Sequence, residues 1–324
     1  MTHTSWSRLA LGSWHTWDRM PHDEGVDLFR AAVTGGARLF DVGSYNMGPH
    51  EEGSETDVLF GAIARDSGLD RDAWQLCWKL WLWTWPAEPL AVQLDRLEQR
   101  AGYDRAELAI LGDFVGELDV ERVVGEVGEL LRDGRIGAWG VNNWSAQDIG
   151  RADDAARAAG LPGPALAQLK YSVCRRSVAE GAPWRALLDE RGIAIQASDV
   201  FEGGILAGGA AATRRIGMDT GAIREQIRAG APALAQIARD EFGATPGQLA
   251  LAFCLANPDV ASVLFGVSRR AQLDDNLGAL ALAAEHGPAL RARVEDHWLD
   301  RGVVDPGASW GTTREEAVAA TPPR

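Results

Sequence analysis

Trp74-Gln75-Leu76-Cys77-Trp78-Lys79-Leu80-Trp81-Leu82-Trp83-Thr84-Trp85 mixes β-preferring aromatics with aliphatics and meets no turn residue until Pro86. That composition predicts a buried strand. Lys79 is the one cation in it. Of the 32 lysines and arginines in the chain, only Lys79 and Lys170 are lysine. An ammonium is costly to bury unless it is paired, and an amine shifts its pKa readily where a guanidinium stays charged. The retained amine marks the strand as a place where chemistry is expected. The bland alternative is a strand-end lysine reaching out to solvent.

Seven further strand-like runs flank this one: Arg8–Trp14, Ala37–Gly43, Glu107–Asp113, Ile136–Asn142, Ala165–Tyr171, Ile193–Asp199 and Ala261–Val267, with Gln75–Leu80 as the third of eight. Between them the apolar period becomes helical, as in Val26, Phe29 and Val33 before Gly35-Gly36, in Leu90, Leu94 and Leu97, and in Val120, Val123, Val127 and Leu130 before Gly134. Thr245-Pro246 is a helix start. Strand–helix alternation repeated eight times predicts an α/β fold, a single-domain (β/α)8 TIM barrel, over residues 1–301. Residues 302–324 read as a tail, either partly disordered or lying across the barrel mouth. From Glu202 to about Gly230 the chain is rich in Gly and Ala, which suits a lid, a binding loop or an unstructured insertion.

Composition narrows the function classes. A formal net charge of −14 argues against nonspecific binding to nucleic acid or to an anionic membrane surface. No apolar run has the length of a membrane span, and the first residues lack a signal-peptide pattern. Cys77, Cys174 and Cys254 fall in no metal-ligand or CxxC spacing. The expectation is a reduced, cytoplasmic protein with no metal site, acting on a small molecule; its oligomeric state is left open.

In a barrel of this kind functional groups sit at the C-terminal ends of the strands. Those ends supply Trp14 and Trp17, Asp41 and Tyr45, Lys79, Asp113, Asn142 and Asn143, Gln168 with Lys170 and Tyr171, Asp199 with Glu202, and Ser268 with Arg269 and Arg270. Asp41, Tyr45 and Lys79 are the expected catalytic set, with Asp41 holding Lys79 charged and Lys79 lowering the Tyr45 pKa. Asp113, Glu202, Trp14 and Trp81 are further catalytic or substrate candidates. After strand eight, Ser268 reads as a helix N-cap with Arg269 and Arg270 in the first turn, a place where the helix dipole favours a bound anion. Trp14, Trp17, Trp81, Trp83, Trp85 and Trp144 lie where they could wall the mouth for a flat aromatic or cationic ligand.

The ordered set of motifs resembles the aldo-keto reductase family over about residues 8 to 300. Leu11-Gly12-Ser13-Trp14 looks like its opening strand, and Leu39-Phe40-Asp41 like the strand of its catalytic aspartate. Lys79 falls at its lysine, and Gly134 to Ser145 is similar to its strand-five signature. The resemblance implies NADP(H), with Asn142, Asn143 and Gln168 on the nicotinamide carboxamide. It implies Gly266, Ser268, Arg269, Gln272 and Asn276 at the adenosine 2′-phosphate. Three positions depart from the family. Gly112 stands where its histidine ends strand four, Asn46 where its tyrosine stands, with Tyr45 one residue earlier, and Ser198 where an aromatic beds the nicotinamide. Loss of the histidine is expected to remove a polarising donor and to open space for substrate or water.

These features imply an NADP-dependent oxidoreductase acting on an unusual carbonyl, imine or activated double bond. The alternatives are a non-redox acid–base enzyme, a lyase or cyclase with a vestigial or absent cofactor, and a nucleotide-binding regulatory protein.

Overall fold

A computed structural model describes residues 6–47, 50–51, 53–114, 116–209 and 223–301. Eight parallel strands close into a barrel: β1 (Leu9–Gly12), β2 (Ala37–Gly43), β3 (Gln75–Leu80), β4 (Leu108–Leu111), β5 (Trp139–Asn142), β6 (Leu166–Lys170), β7 (Ala194–Ser198) and β8 (Val260–Phe265). Each pairs with its neighbours in sequence, and β8 pairs back to β1. The expected (β/α)8 barrel is the fold. Two short strands, Asn46–Met47 and His50–Glu51, form a separate hairpin after β2.

Helices cover the barrel for reasons visible in the residues. α1 (His22–Gly35) buries Val26, Phe29 and Val33 and stops at Gly36, whose φ of 96° is cheap only for glycine. α2 (Thr56–Asp66) and α3 (Leu90–Ala101) follow, the latter burying Leu90, Leu94 and Leu97. In α4 (Val120–Arg132) the Asp119 side chain caps the amide of Arg122. α5 (Ala146–Ala158), the short α6 (Ser177–Glu180) and α7 (Ala182–Arg191) lead to α8 (Ile223–Phe242). A reciprocal capping box between Thr245 and Gln248 opens α9 (Pro246–Leu255). α10 (Arg270–Leu277) and α11 (Ala279–Arg293) finish the outer ring.

Two expectations change. The aromatic stretch is a strand only to Leu80, and Trp81–Trp85 leaves the barrel in turns at its C-terminal rim. The long connection after Glu202 is not all loop. Glu202–Ala207 forms a 3-10 turn and α8 begins at Ile223, while 210–222 lie outside the described residues. The tail 302–324 also lies outside them.

The pleat sorts the barrel interior into layers, because every second strand residue points inward. The lowest is apolar, with Ala10, Leu39, Cys77, Leu108 and Leu166 in one buried cluster whose sixth member, Ile110, stands one layer up beside Lys79. Two residues further along β2, β3, β6 and β7 come Asp41, Lys79, Gln168 and Gln196, a polar layer in an otherwise apolar core. Two residues beyond that, at the mouth, stand Gly43, Trp81, Gly112, Asn142, Lys170 and Ser198. The chemistry is confined to the upper layers.

Candidate active site

Asp41, Lys79 and Gln168 form the floor of the mouth. The Lys79 ammonium lies 3.5 Å from Asp41 Oδ2 and donates to Gln168 Oε1. Gln168 Nε2 in turn donates to Asp41 Oδ2 at 2.8 Å and to Gln196 Oε1 at 2.7 Å. Gln196 then reaches the Ser262 hydroxyl at 3.5 Å. All five side chains are buried. A buried ammonium is tolerable here because a carboxylate and an amide oxygen replace its water. The expected pairing of Asp41 with Lys79 is present, with Gln168 as a third member. In this arrangement the Gln168 amide has both hydrogens and its oxygen engaged inside the barrel, so its side chain faces the relay.

Aromatic rings roof this floor. Tyr45 and Trp81 are buried together with Trp14 and Trp83 packed on them. Tyr45 stacks on Trp14 at 6.0 Å and meets the edge of Trp81 at 5.8 Å. The Lys79 ammonium lies 6.0 Å from the centre of the same Trp81 ring. Tyr45 and Lys79 therefore flank one indole. Of the six tryptophans expected at the mouth, only these three join the cluster. Trp17 is core, against Phe29, Phe40 and Phe60, because the turn after β1 tucks it under α1 and α2. Trp85 turns outward to Glu126 and Arg122 of α4. Trp144 folds inward, donating to the Gly112 carbonyl at 2.9 Å and meeting Phe114 edge-on.

Gly112 does not open space. A Cβ built there would lie 2.6 Å from Trp81 Cε3 and 3.3 Å from the Leu80 carbonyl. The indole fills the volume that a side chain at 112 would need. It is fixed in place: its N–H donates to the Ser44 carbonyl at 2.9 Å, and Gln93 bonds both the amide and the carbonyl of Trp81 at 2.7 Å. The expectation of extra room for substrate or water fails, because an aromatic ring occupies it.

A second charged group lies on the β6–β7 side. Glu202 accepts from Ser172 Oγ at 2.6 Å and from Arg175 Nε at 2.9 Å, and all three are buried. Burial raises the Glu202 carboxyl pKa, with Arg175 pulling it back. Glu202 is thus an ion-paired anchor for the loop after β6. Lys170, the second lysine, is buried in the field of Asp199, Arg175, Glu202 and Asp113. Burial brings its pKa down to about 8. Sequence reasoning named Lys170 at a strand end and gave it no role. Its position two residues after Gln168 was the signal, since that spacing places it in the mouth. Negative charge from Asp113, Asp199 and Glu202 is therefore interleaved with two cations.

Strain gathers at the same rim. Asn143, Asp199 and Glu202 have φ of 57°, 52° and 50°, and His15 has 54°, all just beyond strand ends. Left-handed non-glycine residues of this kind cluster at functional sites.

The expected nucleotide residues line one side of the rim. Asn142 is buried, and its Nδ2 donates to the Gln168 carbonyl at 3.3 Å. Ser198 ends β7 and is buried. Arg269, not Ser268, occupies the N-cap of α10, so only Arg270 enters the first turn, where it pairs with Asp274 at 2.8 Å. Gln272 folds back instead, accepting from the Ser268 amide at 2.8 Å and hydroxyl at 3.1 Å. Ser268 and Arg269 are exposed, Asn276 is buried against Gly247 of α9, and the space beside Gly266 is open. The exposed Arg269 guanidinium, three residues after Gly266 with open space beside that glycine, is a donor that fits a phosphate group. Among the described residues no three His, Cys, Asp or Glu side chains are grouped to hold a metal ion, and no helix is long and apolar enough to cross a membrane.

Comparison with known proteins agrees with this geometry. The model of the "Aldo/keto reductase family" matches residues 8–291. A "Probable voltage-gated potassium channel subunit beta" of Arabidopsis thaliana is 26% identical over 310 residues, covering 89% of this chain and 92% of that protein. A "Putative voltage-gated potassium channel subunit beta" of Schizosaccharomyces pombe is 25% identical over 316 residues, covering 90% and 89%. A rice (Oryza sativa subsp. japonica) protein with the same description as the Arabidopsis one is 26% identical over 313 residues, covering 89% and 92%.

Proposed function

Because the chain belongs to the aldo/keto reductase family, we propose that it is an NADP(H)-dependent oxidoreductase that reduces a flat, ring-bearing small molecule at a carbonyl, imine or activated double bond. The observation that carries this reading is the buried Lys79 ammonium, held by Asp41 and Gln168 and flanking, with Tyr45, the same Trp81 ring. The phenol and the ammonium thus reach the same face of the mouth, one able to hand over a proton and the other to stabilise developing negative charge. Tyr45 is the donor to the heteroatom of the substrate, and Asp41 with Gln168 orients the Lys79 ammonium beneath the Trp81 ring. Ser268 and Arg269 would hold the 2′-phosphate end of a reduced nicotinamide cofactor, which when bound would supply the hydride. Trp14, Trp81 and Trp83 exclude water and offer aromatic faces to a flat ring. The missing donor at Gly112 makes an imine or an activated double bond a better substrate than a simple ketone, since less polarisation is required.

The experiment is a titration with NADPH and with NADH, followed by energy transfer from tryptophan. Micromolar NADPH binding that weakens about 10- to 150-fold in Arg269→Ala supports the reading, because a phosphate–arginine contact contributes about 1.5–3 kcal/mol. No binding of either nucleotide refutes it. The channel-subunit names of the relatives favour a second reading, a nucleotide-binding regulatory protein. Tight NADPH binding without turnover of any carbonyl, imine or enone would select it.

A further inference from the structure

One buried amide of the floor has no part in the reaction so far. Gln196 lies fully buried in the polar layer of the barrel, below the mouth. It stands beside Gln168 in the β6–β7 ladder, and Ser262 stands beside it in the β7–β8 ladder. The three side chains form a row across neighbouring strands. Gln168 Nε2 donates to Gln196 Oε1 at 2.7 Å, and Gln196 Nε2 reaches Ser262 Oγ at 3.5 Å. The backbone of β8 departs from regular register to complete this row. Val260 pairs with Ile195 and Ser262 with Gln196, so Ala261 is one residue extra in β8. Such a bulge re-aims a side chain, here a buried hydroxyl towards Gln196.

An apolar side chain would be the ordinary occupant of position 196. Its neighbours Ile195 and Ala197 are apolar, and a buried amide is costly unless its hydrogen bonds are made. The amide is explained by what it holds. Lys79 can only donate, and the Asp41 carboxylate can only accept. Gln168 bonds both, so its oxygen must meet Lys79 and its nitrogen Asp41, which leaves one N–H of that nitrogen over. Gln196 Oε1 takes it. Turning the Gln168 amide over would then break all three bonds. Asp41 Oδ2 stands 3.5 Å from the Lys79 nitrogen, at the outer edge of hydrogen bonding, so the amide oxygen is the contact that fixes where the ammonium stands.

We propose that Gln196 is a positioning residue of the active site that acts through Gln168: it locks the Gln168 amide, and the locked amide holds the Lys79 ammonium in place beneath the Trp81 ring, 6.0 Å from the ring centre. This rests on the oxidoreductase reading of the same site. The contribution is preorganisation. As an electron pair arrives on the substrate heteroatom and Tyr45 hands over the proton, an ammonium already fixed beside it stabilises the charge without having to move. A misplacement of about 1 Å in such a constellation can cost about 100-fold in rate. Gln196 touches neither substrate nor cofactor, because both ends of its amide are engaged inside the barrel. Gln168, with its oxygen and both N–H groups used in the floor, serves the ammonium and not the nicotinamide carboxamide.

The test separates position from fold and from cofactor binding. Gln196→Met keeps the length of the side chain and removes the acceptor. In a single turnover of bound NADPH its hydride-transfer rate is expected to fall about 10- to 100-fold, while NADPH affinity stays within about twofold of the unsubstituted protein. An unchanged rate overturns the proposal. Where Gln196→Met does not fold, Ser262→Ala, a milder change at the far end of the row, carries the same test. Gln168→Met should lower the rate with affinity kept; a loss of affinity of about tenfold or more would put Gln168 on the nicotinamide and overturn the proposal. A second readout needs neither substrate nor cofactor. Protein grown with lysine carrying 13C at Cε has two lysine signals, and Lys170→Met assigns them. In Gln196→Met the Lys79 signal is expected to move, although among the described residues the Gln196 side chain bonds only Gln168 and Ser262. The Lys170 signal is expected to stay, as the control for an intact mouth. A Lys79 signal that stays put, or both signals moving alike, overturns the role. Absence of hydride transfer to any carbonyl, imine or enone in the unsubstituted protein would sink the oxidoreductase reading and this role with it, whereas turnover that Gln196→Met leaves unchanged would sink Gln196 alone.

Discussion

Replacing Gly112 by alanine adds a single carbon where the structure has no room for it. That carbon would meet Trp81 Cε3 at 2.6 Å and Cζ3 at 3.2 Å, well inside ordinary carbon–carbon contact. Neither side can yield cheaply. The indole is held by its bond to the Ser44 carbonyl and by both Gln93 bonds, and Gly112 is held by Trp144 and by its own amide bond to the Leu80 carbonyl at 2.6 Å. Overpacking of this kind costs about 1–3 kcal/mol, so Gly112→Ala should lower the denaturation midpoint by a corresponding amount in urea. Trp81→Ala removes a large buried ring and costs about 3–5 kcal/mol alone. In the double variant the added methyl falls into the cavity, so its own cost disappears. A double-mutant cycle should therefore give a favourable coupling equal to that cost, about 1–3 kcal/mol. Additivity within about 0.5 kcal/mol would refute the claim that the two positions compete for one volume. Introducing histidine at 112 should then fail to build a donor unless Trp81 is removed as well.

Further outcomes follow from the same contacts. Asp41→Asn leaves the buried Lys79 ammonium without its carboxylate and should cost about 3–5 kcal/mol, read by chemical denaturation; a loss below about 1 kcal/mol would mean that Gln168 alone sustains the charge. Gln93→Leu removes both bonds to the Trp81 backbone and should cost about 2–5 kcal/mol, with altered Trp81 fluorescence as the sign that the rim has moved. Burial pushes the Cys174 thiol up to about 12. The folded chain then keeps a proton that the unfolded chain releases above about pH 8.5, so stability is retained below that pH and lost as pH rises towards 12. Cys174→Ala should flatten the decline by about 1.4 kcal/mol per pH unit in unfolding measured at pH 8.5 to 10.5, and an unchanged slope would count against a neutral buried thiol.

The fold was legible because barrel strands announce themselves by apolar runs and their helices by a change of period. Ala37–Gly43 and Gln75–Leu80 coincide with the observed strands to the residue. Overextension occurred where apolar residues continue beyond the last ladder bond, as at Trp81–Trp85, since hydrophobicity reports burial and not pairing. Asp41 and Lys79 were legible as strand-end charges whose burial needs a partner. The Gln168 bridge and the Trp81 plug were not, because each depends on atoms from strands far apart in sequence: 89 residues separate Lys79 from Gln168. A glycine at 112 reads as an absence, and only the neighbouring ring shows what it makes room for. The Lys170 layer was readable in principle, by counting twos along β6.

Burial of every lysine has a consequence for how the barrel comes apart. A protease that cleaves only after lysine finds no lysine on the folded exterior, however abundant the arginines there. It can cut this chain at two points, Lys79–Leu80 and Lys170–Tyr171, each at the upper end of a barrel strand. Under conditions where opening is fast relative to cleavage, the rate at each bond reports the population of molecules in which that strand end is exposed. Release of fragment 171–324 before any cut at Lys79 would show the β6 side of the mouth loosening while β3 stays closed. Simultaneous appearance of fragments 1–79, 80–170 and 171–324 would show that the barrel yields as one cooperative body.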